Sequence, residues 1–143
     1  MTELTASDRA LVESATGLLR EHAHRSRTSA AAALRTRDGR VFQGLHLPAN
    51  VARASLCAEG VALGAAAVAG SLDRLDTIAT VHLVATDTGE FACALVSPCG
   101  VCRELLGSHA LDLSVLVPGL DQRPTRVTMR ALLPSMFRRP QSP

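Results

Sequence analysis

Apolar residues recur along this chain with two different periods, and the switches between them set out the elements to expect. Leu11, Ala15, Leu18 and Leu19 fall on one face at helical spacing. Thr5-Ala6-Ser7-Asp8 ahead of them reads as a capping box, so an amphipathic helix is predicted through about His22. Ala30 to Arg35 and Val41 to Leu45 then read as two strands about the Asp38-Gly39 turn. Leu56 to Ala69 is an almost wholly apolar helix, and Ile78 to Ala85 is a strand expected to be buried on both faces. Phe91 to Val96 reads as a strand, Cys99 to Gly107 as a helix, Leu113 to Val117 as a strand and Thr128 to Leu133 as a short last helix. Helix and strand alternate after an initial hairpin, which predicts an α/β fold: a three-layer α/β/α sandwich around a mixed five-stranded sheet.

Composition narrows the class without changing that layout. A chain of 143 residues suits a single domain spanning 1–143, with a flexible tail over 138–143. Apolar residues make up 47% of it, too many for a disordered chain, yet no uncharged apolar run reaches the roughly 18 residues of a membrane span. The N-terminus lacks the basic start, apolar middle and small-residue cleavage site of a secretory signal, so a cytoplasmic location is expected. All 15 cationic side chains are Arg, against 13 acids, for a formal charge of +2. The Arg residues are scattered apart from the run His22 to Arg27 and the pair Arg138-Arg139, and no aromatics are interleaved with them. No nucleic-acid partner is therefore expected.

The chemistry is concentrated in three thiols and one carboxylate. Cys57-Ala58-Glu59 lies at the predicted start of the apolar helix, and Pro98-Cys99-Gly100-Val101-Cys102 at the start of the next. A Cys-x-x-Cys pair can grip one ion from a helical first turn, and a distant third Cys adds a soft ligand, leaving one tetrahedral position free for water or substrate. A structural zinc would want a fourth Cys or His at similar spacing, and no second Cys-x-x-Cys or His-x-x-x-His occurs. Two other readings remain: buried cysteines acting as small hydrophobes, or a disulfide, which three-residue spacing would strain. Glu59 stands two residues after a ligand, where it can serve as a proton shuttle without binding metal. Cys93 lies in an apolar strand.

Cys-Ala-Glu followed by Pro-Cys-x-x-Cys resembles the zinc-dependent cytidine deaminases and their near relative blasticidin S deaminase. The likeness runs from about Ala30 to Phe137, through Val41-Phe42-Gln43-Gly44, Ser97 to Leu106 and Leu132-Leu133-Pro134-Ser135-Met136-Phe137. It implies the cytidine deaminase-like fold, one zinc per chain held by Cys57, Cys99 and Cys102, and hydrolytic release of ammonia from an aminopyrimidine, with Glu59 as the catalytic acid and base. It further implies a role in pyrimidine salvage and a homotetramer with sites at subunit contacts. Small side chains from Gly60 to Gly70 suit close helix contact. By the same likeness the backbone carbonyl of Ser97 accepts from the departing amine, the backbone N–H groups of Cys57 and Ala58 hold substrate oxygens, and Phe137 closes over the base.

The chain also departs from that pattern. Where relatives place an Arg after the catalytic Glu to bond the ligand sulfurs, this chain has Gly60, so Arg53 or Arg103 is the expected substitute donor behind the ligands. Where cytidine deaminases place an Asn and a Glu on the ribose, this chain has His46 and Pro48. His46 can still bond a hydroxyl, and Asn50, the chain's only asparagine, is the nearby replacement. With no Trp or Tyr and three Phe, no full aromatic cradle can form around a pyrimidine. Phe42 and Phe91 read as strand core, His82 as a satisfied core histidine, His109 as a cation suited to a helix end, and His22 and His24 as exposed. Three functions follow: a deaminase of cytidine or another cytosine-containing small molecule, a deaminase of blasticidin S or another aminated heterocycle, and a non-catalytic zinc-binding module.

Overall fold

A long central strand organises the molecule. In the computed structural model, which describes residues 3–23 and 27–140, the chain runs α1 (Ala6–His22), β1 (Ala30–Thr36), β2 (Val41–Leu45), α2 (Ala58–Val68), β3 (Leu75–Ala85), β4 (Phe91–Val96), α3 (Gly100–His109), β5 (Ser114–Pro118), β6 (Pro124–Thr128) and α4 (Met129–Leu132). Single 3-10 turns occupy Ala52–Ala54 and Leu72–Arg74. Strand β3 pairs antiparallel with β1 along one edge. Its other edge is shared: Thr77 to Ala79 pair parallel with β5, and Thr80 to Ala85 pair antiparallel with β4. The sheet therefore reads β2-β1-β3-β5-β6 with β4 beside the outer half of β3.

The three-layer mixed sandwich is as expected, with six strands where five were predicted. Strand β6 was missed because Pro124-Thr-Arg-Val-Thr begins with a residue that cannot donate to a ladder and carries a cation at its centre. Both features are tolerated here because β6 lies at the sheet edge, paired only with β5.

Side chains alternate between two cores. Leu11, Ala15 and Leu19 of α1 bury against Ala31, Ala33, Ala79 and Val81 on one face. On the other face, Ala58, Ala62 and Ala66 of α2 and Leu106 of α3 pack on Ala32, Leu34 and Ile78. The period of two along β3 thus directs Ala79 and Val81 to α1, and Ile78 to α2 and α3.

Thr5 and Asp8 form the predicted capping box. Asp8 does more than cap: wholly buried, it pairs with Arg35 of β1 and Arg126 of β6, each at 3.1 Å, joining α1 to opposite parts of the sheet. Arg35 also pairs with Asp76 at 2.9 Å.

Three histidine and aromatic expectations change. Strand β3 is buried only through Val81; His82 beyond it is exposed, not a core histidine. Phe91 is 68% exposed because it opens β4 opposite Ala85 at the far tip of the β3–β4 hairpin, beyond both cores. His22 is half-buried, whereas His24, and with it part of the basic run 22–27, lies outside the described residues, as do 141–143 of the tail. Phe42 packs against the α2-side core, with the Arg40 guanidinium 4.9 Å from its ring centre. His109 is exposed in the last turn of α3.

Candidate metal centre

Two helix starts meet at one point. Cys57 is the N-cap of α2 and Cys99 the N-cap of α3, while Cys102 lies in the first turn of α3. What allows α2 to sit so close to the sheet is Gly44 of β2. A Cβ there would collide with the Ala58 carbonyl oxygen and the Ala62 amide of α2, so only glycine lets the helix start descend to this depth. From the opposite side, Arg103 fixes the turn before Cys99: Nε donates to the Pro98 carbonyl at 2.9 Å and a terminal nitrogen donates to the Leu132 carbonyl at 3.2 Å.

The sulfur atoms of Cys57, Cys99 and Cys102 all lie within 4.8 Å of one another, with Cys57 and Cys99 3.9 Å apart. Zinc–sulfur bonds of about 2.3 Å at tetrahedral angles place neighbouring sulfurs about 3.8 Å apart, so the cluster already has the dimensions of one shared zinc. It is not a disulfide, since all four cysteines are free. Among the described residues no fourth His, Cys, Asp or Glu joins the group, which leaves a fourth coordination position without a protein ligand.

The electrostatics fit a cation at that centre. Burial pushes the Cys57 thiol above the usual range; a hydrogen bond with Cys102 opposes the rise, while Cys99 and Glu59 add to it. Burial, then the Glu59 carboxylate, raise Cys102 much more. Burial also opposes ionisation of Cys99, but the backbone N–H groups of Cys102 and Val101, with the other two thiols, hold it below the usual value on balance. The α3 N-terminus thus favours the first thiolate, and a divalent ion supplies the charge that the other two need.

Glu59, 5% exposed, lies on the first turn of α2 and borders a hollow of about 210 Å³. The same hollow is lined by Ser29, Ala30, His46, Cys57, Ala58, Thr80, His82, Val96, Ser97 and Cys99. The structure therefore gathers Glu59, Cys57, Cys99, Ala58, Ser97 and His46 around one space, with Cys102 buried beneath it. It does not bring the others to that wall. Asn50 and Arg53 are exposed on a loop closed by the Leu47–Leu56 bridge and by an Ala49 N–H bond to Ser55 Oγ. Arg53 makes no side-chain hydrogen bond or ion pair among the described residues, and the Arg103 bonds run to carbonyls. Phe137 is 71% exposed and absent from the lining.

Ser29, Thr80, His82 and Val96 were missed. The signal for Thr80 and His82 was present in the strand period, since both continue the face on which Ile78 meets α2. A larger hollow, about 520 Å³ and bordered by Arg20, Leu83, Phe91 and Cys93, opens on the α1 side of the sheet, away from the three clustered thiols. Its lining includes one thiol, Cys93, and one carboxylate, Glu90, but among the described residues no group of three metal-ligating side chains forms there.

The zinc-binding region of the cytidine and deoxycytidylate deaminases matches residues 5–116, a span containing all three thiols and Glu59. The chain is 32% identical over 136 residues to the blasticidin-S deaminase of Bacillus cereus, covering 95% of this chain and 96% of that protein. Among solved structures, the cytidine deaminase of Burkholderia pseudomallei superposes with a TM-score of 0.71 at 29% identity, covering 94% of this chain and 100% of that one. The cytidine deaminase of Mycobacterium leprae gives 0.70 at 26% identity, covering 92% and 100%.

Proposed function

Because the chain belongs to the cytidine and deoxycytidylate deaminase family, we propose that it is a zinc-dependent hydrolytic deaminase that replaces the 4-amino group of cytidine, or of another cytosine-containing small molecule, with a carbonyl and releases ammonia. The observation that carries this reading is the three-sulfur cluster with no fourth protein ligand, beside a buried carboxylate at the wall of a ligand-sized hollow.

Cys57, Cys99 and Cys102 would hold the ion, and zinc bound there supplies Lewis acidity that makes a water molecule acidic enough to react near neutral pH. Glu59 takes a proton from that water and passes it to ring N3, which makes C4 electrophilic. Hydroxide adds at C4. Glu59 then carries the second proton to the exocyclic amine, the C4–N bond breaks, and ammonia leaves while the oxygen remains as the new carbonyl. The Ser97 backbone carbonyl accepts from the departing amine. The backbone N–H groups of Cys57 and Ala58 hold substrate oxygens, so those side chains are incidental to that contact. His46 lines the hollow. Its Nδ1 lies 3.3 Å from Ser29 Oγ, which orients the ring.

Three thiolates leave a zinc centre with one net negative charge, and the two helix N-termini at Cys57 and Cys99 offset part of it. Arg103 supports the site by restraining the Pro98 carbonyl next to a ligand. Asn50 would reach substrate, and Arg53 the ligand sulfurs, only with their loop folded toward the hollow.

The active form is proposed to be a cytoplasmic homotetramer serving pyrimidine salvage, with Phe137 of one subunit closing over the base in another. Exposed Val101 and Leu105 on α3 and exposed Leu47, Val51 and Leu56 around the site loop supply apolar surface for such contacts. Blasticidin S is the second substrate reading, favoured by the 32% identity to a blasticidin-S deaminase along nearly the whole chain.

Ammonia release from cytidine, deoxycytidine, cytosine, blasticidin S and amino-purine controls, with zinc measured on the same samples, tests these readings together. Turnover of a cytosine compound is expected. A zinc-replete protein that releases no ammonia from any of them would leave the non-catalytic binding module as the surviving reading.

A further inference from the structure

We propose that His82 grips the substrate, accepting a hydrogen bond from a hydroxyl of a sugar carried by the heterocycle, so that the pocket selects nucleosides over free bases. The assignment deepens the deaminase reading above and rests on it for the orientation of the substrate.

The His82 ring has a defined polarity. Its Nδ1 lies 2.8 Å from the Leu83 carbonyl oxygen. A carbonyl can only accept, so Nδ1 carries the hydrogen, and in the neutral ring Nε2 is left with a lone pair. Among the described residues no other group bonds this side chain. Nε2 is therefore an unused acceptor on an exposed residue that lines the same hollow as Glu59, Cys57 and Cys99.

Strand geometry aims it there. Ile78, Thr80 and His82 alternate onto the α2 face of β3. Ile78 is in the core, Thr80 is on the pocket floor and His82 is at the rim. The partners opposite are small: Ala30 of β1 and Ala94 of β4 flank His82, so no bulky neighbour fills the space above the ring. On the other side of β1, the His46 N–H donates to the Ala30 carbonyl at 2.9 Å. With strands about 4.8 Å apart, His46 and His82 stand roughly 10 Å apart across the start of β1, a gap suited to a five- or six-membered sugar ring.

Chemistry decides what that gap takes. Glu59 is the one carboxylate in the lining, and it is committed to the reacting atoms. Pro48 cannot accept through a side chain. The His82 lone pair, on a different strand from the one that precedes His46, adds an acceptor to the Ser29 and Thr80 hydroxyls that line the same hollow. A free base has no hydroxyl to donate and gains nothing from it.

The test compares zinc-loaded wild type with His82→Ala and His82→Gln. Calorimetry gives dissociation constants for uridine and uracil, the products with and without a sugar, and steady-state assays give kcat and KM for cytidine and cytosine. His82→Ala is expected to weaken uridine binding and raise the cytidine KM by up to about tenfold, the loss of one hydrogen bond. Its zinc content and kcat should stay at wild-type values, and uracil and cytosine should shift by less than about twofold. His82→Gln, whose amide oxygen also accepts, should recover most of the loss. Equal effects on uridine and uracil, or no effect on either, would overturn the assignment. If wild type deaminates neither compound, cytidine and cytosine are removed as substrates, and the deaminase reading then rests on the wider ammonia-release panel. The binding pair still decides His82: a wild-type preference for uridine over uracil that disappears in His82→Ala supports it, and the lack of such a preference refutes it.

Discussion

The sulfurs of Cys57 and Cys99 stand 3.9 Å apart although each caps a different helix, α2 and α3, on separate parts of the chain. That distance is set by backbone, since Gly44 lowers α2 onto β2 and the Arg103 bond to Pro98 fixes the turn before α3. The metal centre is thus a product of how the two helix starts are seated, and substitutions at the seats should be felt at the site.

Gly44→Ala is expected to be more damaging than its size suggests. The added methyl must displace α2 backbone, not a flexible side chain, at a cost of about 1 to 3 kcal/mol. Thermal unfolding should fall by several degrees, and zinc should be retained less well than in wild type at equal chelator concentration. An unchanged midpoint and unchanged zinc retention would show that the close approach is not needed.

Glu59→Gln removes the proton carrier while keeping the shape of the helix start. Folding and zinc content should be preserved, and kcat should fall by about 10² to 10⁴, the usual range for a general acid–base group. Near-wild-type turnover would remove Glu59 from the mechanism.

Arg103→Met should loosen the Pro98–Cys99 turn and the tie to Leu132. A loss of about 10-fold or more in zinc affinity is expected from comparable supporting contacts. Competition with a chromogenic chelator would measure it, and wild-type affinity would make Arg103 a brace of the fold alone.

The buried Asp8 should make stability acid-sensitive. Burial raises its carboxyl, but the Thr5 hydrogen bonds and the Arg35 and Arg126 guanidinium groups outweigh that and hold it below the usual carboxylate range. Asp76 is lowered in the same network. A folded-state value below the unfolded one means the contribution is complete above the unfolded pKa of about 3.9 and is lost as pH falls through the folded value. Urea unfolding from pH 6 down to pH 3 should show a steep decline in wild type and a shallower one in Asp8→Asn. Parallel declines would remove Asp8 as its source.

Much of this was legible in the chain because the chemistry sits in local motifs. Cys-Ala-Glu and Pro-Cys-x-x-Cys each occupy a single helix start, so spacing alone identified the three thiols and the acid. The hairpin turn and the capping box are likewise decided by adjacent residues. What escaped depends on where strands end relative to one another. His82 was read as core because Ile78 to Val81 are, yet β3 outruns the helices that cover it, and the residue just past that cover becomes pocket wall. Phe91 was misjudged for the same reason at the tip of the adjoining hairpin. Gly44 was noticed as part of a strand, but the helix that presses on it lies further along the chain, and no local pattern reveals the contact.

X-ray absorption at the zinc edge of the purified protein tests the account most directly. It should find one zinc per chain with three sulfurs at about 2.3 Å and one oxygen at about 2.0 Å. A shell of four protein ligands, or a folded protein that takes up no zinc, would contradict an open three-thiolate centre.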